Sequence, residues 1–349
     1  MKLKKGLIAC CLGLSLGLIV SVVQAVTQED QLELAEIYHN QVFQYYRQGL
    51  FEQALPMAEK AFKIRAEILG EKHPDTLRSL NNLAVIYKTL GDLDKALPLL
   101  EKGYRLKTEL LGEKHPSTLK SLNNLALIYK TLGNLDKALP LLEKGYSLRK
   151  DVLGEKHAST LKGLINLVVI NLELGRLDKA LPLSENAYSL TTEVFGEKHS
   201  LTLISLNNLA SNYQKLGRLE DSLPLFEKSY RYRVEVLGEK HPDTLTSLNN
   251  LAGVYKELGN NEKALPLFEA GYSLRKELLG EKHPDTLISL NNLAVFYQEN
   301  LGRLEEALPL LEKSYRLFRQ VLGEKHPKTL ISLNNFLLSI DNVAGTYLE

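Results

Sequence analysis

Leu77, Leu80, Leu83, Ala84 and Tyr87 stand three and four residues apart, with polar and charged residues between them. That spacing gathers the apolar side chains on one face of a helix. Pro74 suits the first helical position, where its missing N–H would be unpaired anyway. Asp75 sets a negative charge near the positive end of the helix. Gly91 supplies a residue able to end it. A second helical pattern starts near Asp92 and runs to about Leu111. Pro98 falls inside this second helix, where it removes one backbone hydrogen bond and bends the chain.

The whole pattern then repeats. Leu-Gly-Glu-Lys-His begins at Leu69, Leu111, Leu153, Leu237, Leu279 and Leu322, with Phe195 heading the same string, so the steps are 42 residues and the last is 43. The extra residue falls near Glu299 and Asn300, just before Gly302. A more diverged copy precedes Leu69, in which Gly49, Ala54 and Pro56 match Gly91, Ala96 and Pro98. Two helices of this size cannot bury their own apolar faces, but stacked copies can. Small residues mark the close approaches: Ala84, Ala126, Ala210, Ala252 and Ala294 in first helices, and Ala96, Ala138, Ala180, Ser222, Ala264 and Ala307 in second helices.

Leu80, Leu83, Ala84, Tyr87, Gly91, Ala96, Leu100 and Gly103 follow the tetratricopeptide pattern in order. The long second helix, the Leu-Gly-x-x-His-Pro linker and the following Leu-Asn-Asn-Leu-Ala make the chain resemble the kinesin light chain type of that repeat over residues 30–340. It is also similar to the repeats that precede CHAT peptidase domains in bacterial proteins. The resemblance implies an all-α, right-handed superhelical solenoid of antiparallel helix pairs. Seven pairs are expected, near 30–70, 74–112, 116–154, 158–196, 200–238, 242–280 and 284–323. An eighth first helix, from 327 to 341, should cap the stack, with Leu337 and Ile340 where other copies carry alanine and tyrosine, and residues 342–349 should form a tail. The copy at 158–196 departs most from its siblings, with Ala158 for proline, Ile165 for asparagine and Asn171 for tyrosine.

Residues 1–25 read as a separate object ahead of the solenoid, which then spans 26–341. Lys2, Lys4 and Lys5 precede an uncharged, mostly apolar run from Gly6 to Val23, and Val23-Gln24-Ala25 offers small residues for cleavage. This is the order of a secretory signal, which places the protein in the periplasm or outside the cell. The run of residues 6–23 also reaches the lower length limit of a membrane anchor, and Leu7-Ile8-Ala9-Cys10 resembles a lipobox. Both cysteines, Cys10 and Cys11, lie in this leader, so a processed chain holds no disulfide, thiolate metal site or cysteine nucleophile. The formal net charge of +1 gives no electrostatic reason to expect nucleic acid as a partner. Membrane contact is expected only through the leader.

Candidate chemistry is sparse. His73, His115, His157, His199, His241, His283 and His326 recur in the linkers. Helix packing sets successive copies about 10 Å apart, too far to share one ion, so they read as linker or capping residues. No triad, phosphate loop or metal motif appears, and neither catalytic residues nor a cofactor are expected.

Asparagine is the more informative constant. Asn40, Asn82, Asn124, Asn166, Asn208, Asn250, Asn292 and Asn335 hold one place in the first helices, although asparagine is a poor helix former. The preceding place is usually asparagine too, but changes to His39 and Ile165. The family resemblance implies that first helices line a concave groove and that such asparagines grip peptide backbone. A carboxamide both donates and accepts, and rungs about 10 Å apart match every third residue of an extended strand at about 3.3 Å each. The alternative is that the amides join neighbouring repeats. Arg78, Lys88, Lys120, Lys130 and Lys162 lie on the same stripe, with Ile204, Thr246, Ile288 and Ile331 continuing it. The basic end should favour acidic ligand groups, or be only a solvated face. The expected function is a scaffold binding peptides or partner proteins. The alternatives are the substrate-docking part of a truncated or multi-subunit enzyme, and a structural tether.

Overall fold

Each linker histidine starts a helix. In a computed structural model of the chain, the ring Nδ1 of His241 accepts the backbone N–H of Asp243 at 3.1 Å, and His73, His115, His157, His199, His283 and His326 do the same two residues downstream at 3.1–3.2 Å. A neutral ring thus does the work usually given to serine or aspartate at an N-cap. Replacing His241 with alanine should therefore cost about 0.5–2 kcal/mol of stability, and His241→Asn should recover most of it. Urea denaturation of the two variants checks this.

The structure describes residues 27–346, and the leader with its basic, apolar and cleavage positions lies outside them. The chain divides into two compact units, Met1–Leu90 and Gly91–Glu349. In the first, α1 (Gln28–Arg47), α2 (Phe51–Leu69) and α3 (Pro74–Thr89) follow one another. The second holds α4 (Leu93–Leu111), α5 (Pro116–Thr131), α6 (Leu135–Leu153), α7 (Ala158–Glu173), α8 (Leu177–Phe195), α9 (Ser200–Lys215) and α10 (Leu219–Leu237). It continues through α11 (Pro242–Glu257), α12 (Asn261–Leu279), α13 (Pro284–Leu301), α14 (Leu304–Leu322) and α15 (Pro327–Thr346). Every element among the described residues is α-helical. The helices lie close to the residues expected for them. The extra residue of the last period is absorbed by α13, which spans 18 residues where α11 spans 16, and Gly302 closes it at φ 65°.

Within the second unit each helix packs on its chain neighbours, and first helices also touch directly, α7 on α9, α11 on α13 and α13 on α15. The small-residue columns lie at those contacts: Ala126, Ala210, Ala252 and Ala294 are fully buried, as are Ala138, Ala180, Ser222, Ala264 and Ala307. Two polar columns tie the copies together. A tyrosine hydroxyl near the end of a first helix donates to a glutamate of the preceding second helix: Tyr129 to Glu101 at 2.5 Å, Tyr213 to Glu185 and Tyr297 to Glu269 at 2.9 Å, and Tyr255 to Glu227. Burial together with the Glu227 carboxylate pushes the Tyr255 phenol up to about 12. A threonine hydroxyl in the first turn donates to a carbonyl at the end of the preceding second helix, as Thr202 does to Thr191 at 3.0 Å and Thr286 to Arg275 at 3.2 Å.

The α7 copy breaks both columns. Thr160 Oγ1 is buried without a hydrogen-bond partner. Asn171, at the tyrosine place, turns inward and donates to the Leu167 carbonyl of its own helix at 2.8 Å. Apolar burial by Leu164, Ile165, Val168, Ile170 and Leu172 takes over from these polar ties. Stability in such arrays is a sum of repeat and interface terms, so α7 and α8 should exchange amide hydrogen before their neighbours. Equal protection along α5–α10 would count against it.

The C-terminal end differs from expectation. The helix α15 continues to Thr346, past the expected boundary at 341, because no proline or helix-ending glycine precedes Gly345. Its outer face is apolar. Leu337, Leu338 and Ile340 are 50%, 48% and 41% exposed, with no helix among the described residues covering them.

Candidate peptide-binding face

Within each unit, most of the asparagine column is hydrogen-bonded from one repeat to the repeat before it. Asn166 Nδ2 donates to Asn123 Oδ1 at 2.9 Å, Asn250 to Asn207 at 2.9 Å, Asn292 to Asn249 at 3.1 Å and Asn335 to Asn291 at 3.4 Å. In the first unit Asn82 Nδ2 meets His39 Nδ1 at 3.3 Å. That bond needs a neutral ring, and burial, then Arg78 and Arg65, hold the His39 pKa below its ordinary value. The invariant asparagine is therefore the donor, and the variable place need only accept. Ile165 cannot accept, and Asn208 Nδ2 is correspondingly buried with no partner. Asn40, in α1, is exposed, and Asn124 also has a bonded partner.

Each bond uses one end of each amide. Asn249 Nδ2 and Asn250 Oδ1, like Asn291 Nδ2 and Asn292 Oδ1, make no hydrogen bond among the described residues, and these side chains are half-buried. One donor and one acceptor per copy are what an extended peptide unit requires. The two sequence readings of the asparagines are thus compatible: one end joins repeats and the other is unspent.

The basic stripe resolves less uniformly. Arg78 pairs with Glu36 at 3.2 Å and Asp75 at 3.3 Å. Lys130 pairs with Glu173 at 2.9 Å, and Lys88 too has a partner. Lys120 and Lys162 are exposed and make no ion pair among the described residues. These two, with Asn124, Lys130 and Asn166, line an open cavity of about 700 Å³ across α5, α7 and α9, whose apolar wall includes Ile165, Val169, Leu201 and Ile204. The early basic and late apolar parts of the stripe meet there.

Sequence reading missed a second basic column beneath this face. Arg65, Lys107, Arg149, Arg233 and Arg275 of the second helices are buried. Four of them donate to a serine of the next first helix: Arg65 to Ser79 at 2.6 Å, Lys107 to Ser121 at 2.8 Å, Arg275 to Ser289 at 2.8 Å, and Arg233 to Ser247. Burial lowers the pKa of Lys107, Arg149, Arg233 and Arg275. Aligning the copies exposes both columns, but a cation on a helix ordinarily reads as solvated. Among the described residues no group of three or more His, Cys, Asp or Glu is placed to hold a metal ion.

The tetratricopeptide repeat model matches residues 33–109, 90–151, 157–233, 202–277, 248–300 and 285–337. No curated protein matches. Among solved structures, the chain is similar to nearly identical TPR-like repeats described as a kinesin light chain from Podosopora anserina, at 26% identity over 59% of this chain and 96% of that one, with a TM-score of 0.53. A tetratricopeptide repeat protein from Parabacteroides merdae shares 17% identity over 88% and 99%, at a TM-score of 0.58. A Rap protein complexed with competence and sporulation factor shares 11% over 90% and 99%, at 0.54. At such identities the last two show the fold alone.

Proposed function

The chain belongs to the tetratricopeptide repeat family, and from that premise we propose that the first-helix face of its second unit holds extended peptide segments of other proteins. Repeats of this kind are scaffolds for protein–protein interaction. The observation that carries the reading is the paired unspent donor and acceptor at Asn249 and Asn250 and again at Asn291 and Asn292, held in place by bonds on the opposite ends of the same amides. Groups fixed before binding lose little entropy on binding.

Asn208 gives the test. Its Nδ2 already lacks a partner, so Asn208→Ala removes a groove group without breaking a rung. A peptide selected from a random phage library should bind this variant about two- to tenfold more weakly, the worth of one hydrogen bond, at unchanged melting temperature. A selected peptide that binds Asn208→Ala and the blocking variant Asn249→Arg as well as wild type would sink the reading.

The leader adds a location. We read it as directing export, so that the face meets its ligands outside the cytoplasm. The mature chain should then begin at Val26, which N-terminal sequencing of soluble and membrane fractions checks. An intact Met1 in the membrane, or lipid on Cys10, replaces export of a free protein by anchoring.

A further inference from the structure

Leu330, Leu337 and Ile340 of α15 lie open where their counterparts in α13 are covered. Leu330 is 52% exposed, while Leu287, Ala294 and Tyr297 are buried in α13, with α14 packed on that helix. The end of a repeat array ordinarily carries a polar outer face, which keeps it soluble. Here that face is apolar. Leu330, Leu333, Leu337, Ile340 and Ala344 follow one another at steps of three and four. That is the a and d spacing of a helix that pairs with another helix. Leu337 also excludes one occupant. It replaces the alanine that lets a second helix come close, so a further repeat stacked in register would collide with its side chain. The face is instead complementary to itself. Set antiparallel about Asn335, Leu330 of one copy meets the partner's Ile340, and Leu333 meets the partner's Leu337. Charge selects the same direction. Between Pro327 and Thr346 the charged residues are Lys328 in the first turn and Asp341 toward the other end, and neither makes an ion pair among the described residues. Antiparallel pairing brings Lys328 to the end that holds the partner's Asp341 and sets the helix dipoles in opposition, whereas parallel pairing stacks like charges.

We propose that α15 is a homodimer interface, in which it pairs antiparallel with α15 of a second copy around a two-fold axis. Such a contact closes on itself and stops at two copies. It covers one helix face per copy, which is at the small end of interface sizes, so the dimer is reversible, with a Kd on the order of 10 µM. The pairing does not depend on the peptide-binding reading.

Sedimentation velocity on the chain as it accumulates in cells, from about 1 to 200 µM to bracket that Kd, reads the association. Wild type should pass from monomer to dimer and go no further. Leu337→Glu sets a carboxylate in the seam of each copy and should weaken the dimer at least about a hundredfold. Its melting temperature at low concentration should match wild type, because Leu337 is exposed in the single copy. Val236→Glu, at an equally exposed apolar position of α10, should leave the dimer intact. Crosslinking gives the direction. Leu330→Cys and Ile340→Cys are made in separate chains that also carry Cys10→Ser and Cys11→Ser. With a short bis-maleimide the two chains should join each other, and neither should join itself. A wild type that stays monomeric overturns the proposal and leaves the leader or a different protein to cover α15. Growth past two copies shows a head-to-tail contact and overturns it too. So does a dimer unchanged in Leu337→Glu, or one in which Leu330→Cys chains join themselves. None of these outcomes alters the reading of the first-helix face.

Discussion

Replacing Phe296 with alanine should lower the unfolding free energy of the second unit by about 3–5 kcal/mol, the usual cost of deleting a buried aromatic ring. Phe296 is fully buried, its ring centroid lies 5.1 Å from that of Phe268, and the cluster around it joins α9–α14. Much of that neighbourhood is alanine, including Ala252, Ala264, Ala294 and Ala307. These side chains are too short to collapse into the vacated volume, which puts the expected cost toward the upper part of the range. Nearest-neighbour coupling makes the damage local first. Hydrogen exchange should show α12–α14 opening before α4–α8, and urea denaturation should broaden as the C-terminal copies melt ahead of the rest. A loss below about 1 kcal/mol would mean that the repeats slide to fill the space, contrary to close packing.

Replacing Asn250 and Asn292 together with alanine should cost about 2–3 kcal/mol. Each change leaves an acceptor, Asn207 Oδ1 or Asn249 Oδ1, without its donor. An abandoned buried partner costs about 1–3 kcal/mol, and the half-buried setting favours the lower part of that range. Alanine's better helix propensity returns only a few tenths per site. Asn208→Ala should behave oppositely and hold or raise stability, because its Nδ2 is already buried and unpartnered above Ile165. Chemical denaturation of the double and single variants gives the comparison. Equal losses from Asn208→Ala and from each rung variant would show that the column does not work as directional rungs. A stable double variant would return the asparagines wholly to ligand binding.

The contrast between Asn208 and Asn250 also marks where sequence reading stopped. Helix starts and ends were legible because their causes are local. A histidine caps the second N–H beyond it, a proline occupies a position that needs no donor, and a glycine such as Gly91 adopts φ 82°. Those causes recur through the chain, so helix number and order followed, as did the alanine contacts. Even the α7 copy could be singled out from Ile165 and Asn171 alone.

What the tertiary structure alone decided lies between copies. Whether Asn250 points at a ligand or at Asn207 depends on two residues 43 apart in sequence, and identical local sequence serves either geometry. Whether a lysine is free depends on its lateral neighbour: Lys130 meets Glu173, while Lys120 and Lys162 meet no acid among the described residues. At the far end, Leu337 could be read as filling a cap, yet an apolar side chain is buried only where another element covers it, and none of the described elements covers this one. Local conformational preference is written within a few residues, but burial, counter-charge and the partner of each amide are properties of the stacked neighbours.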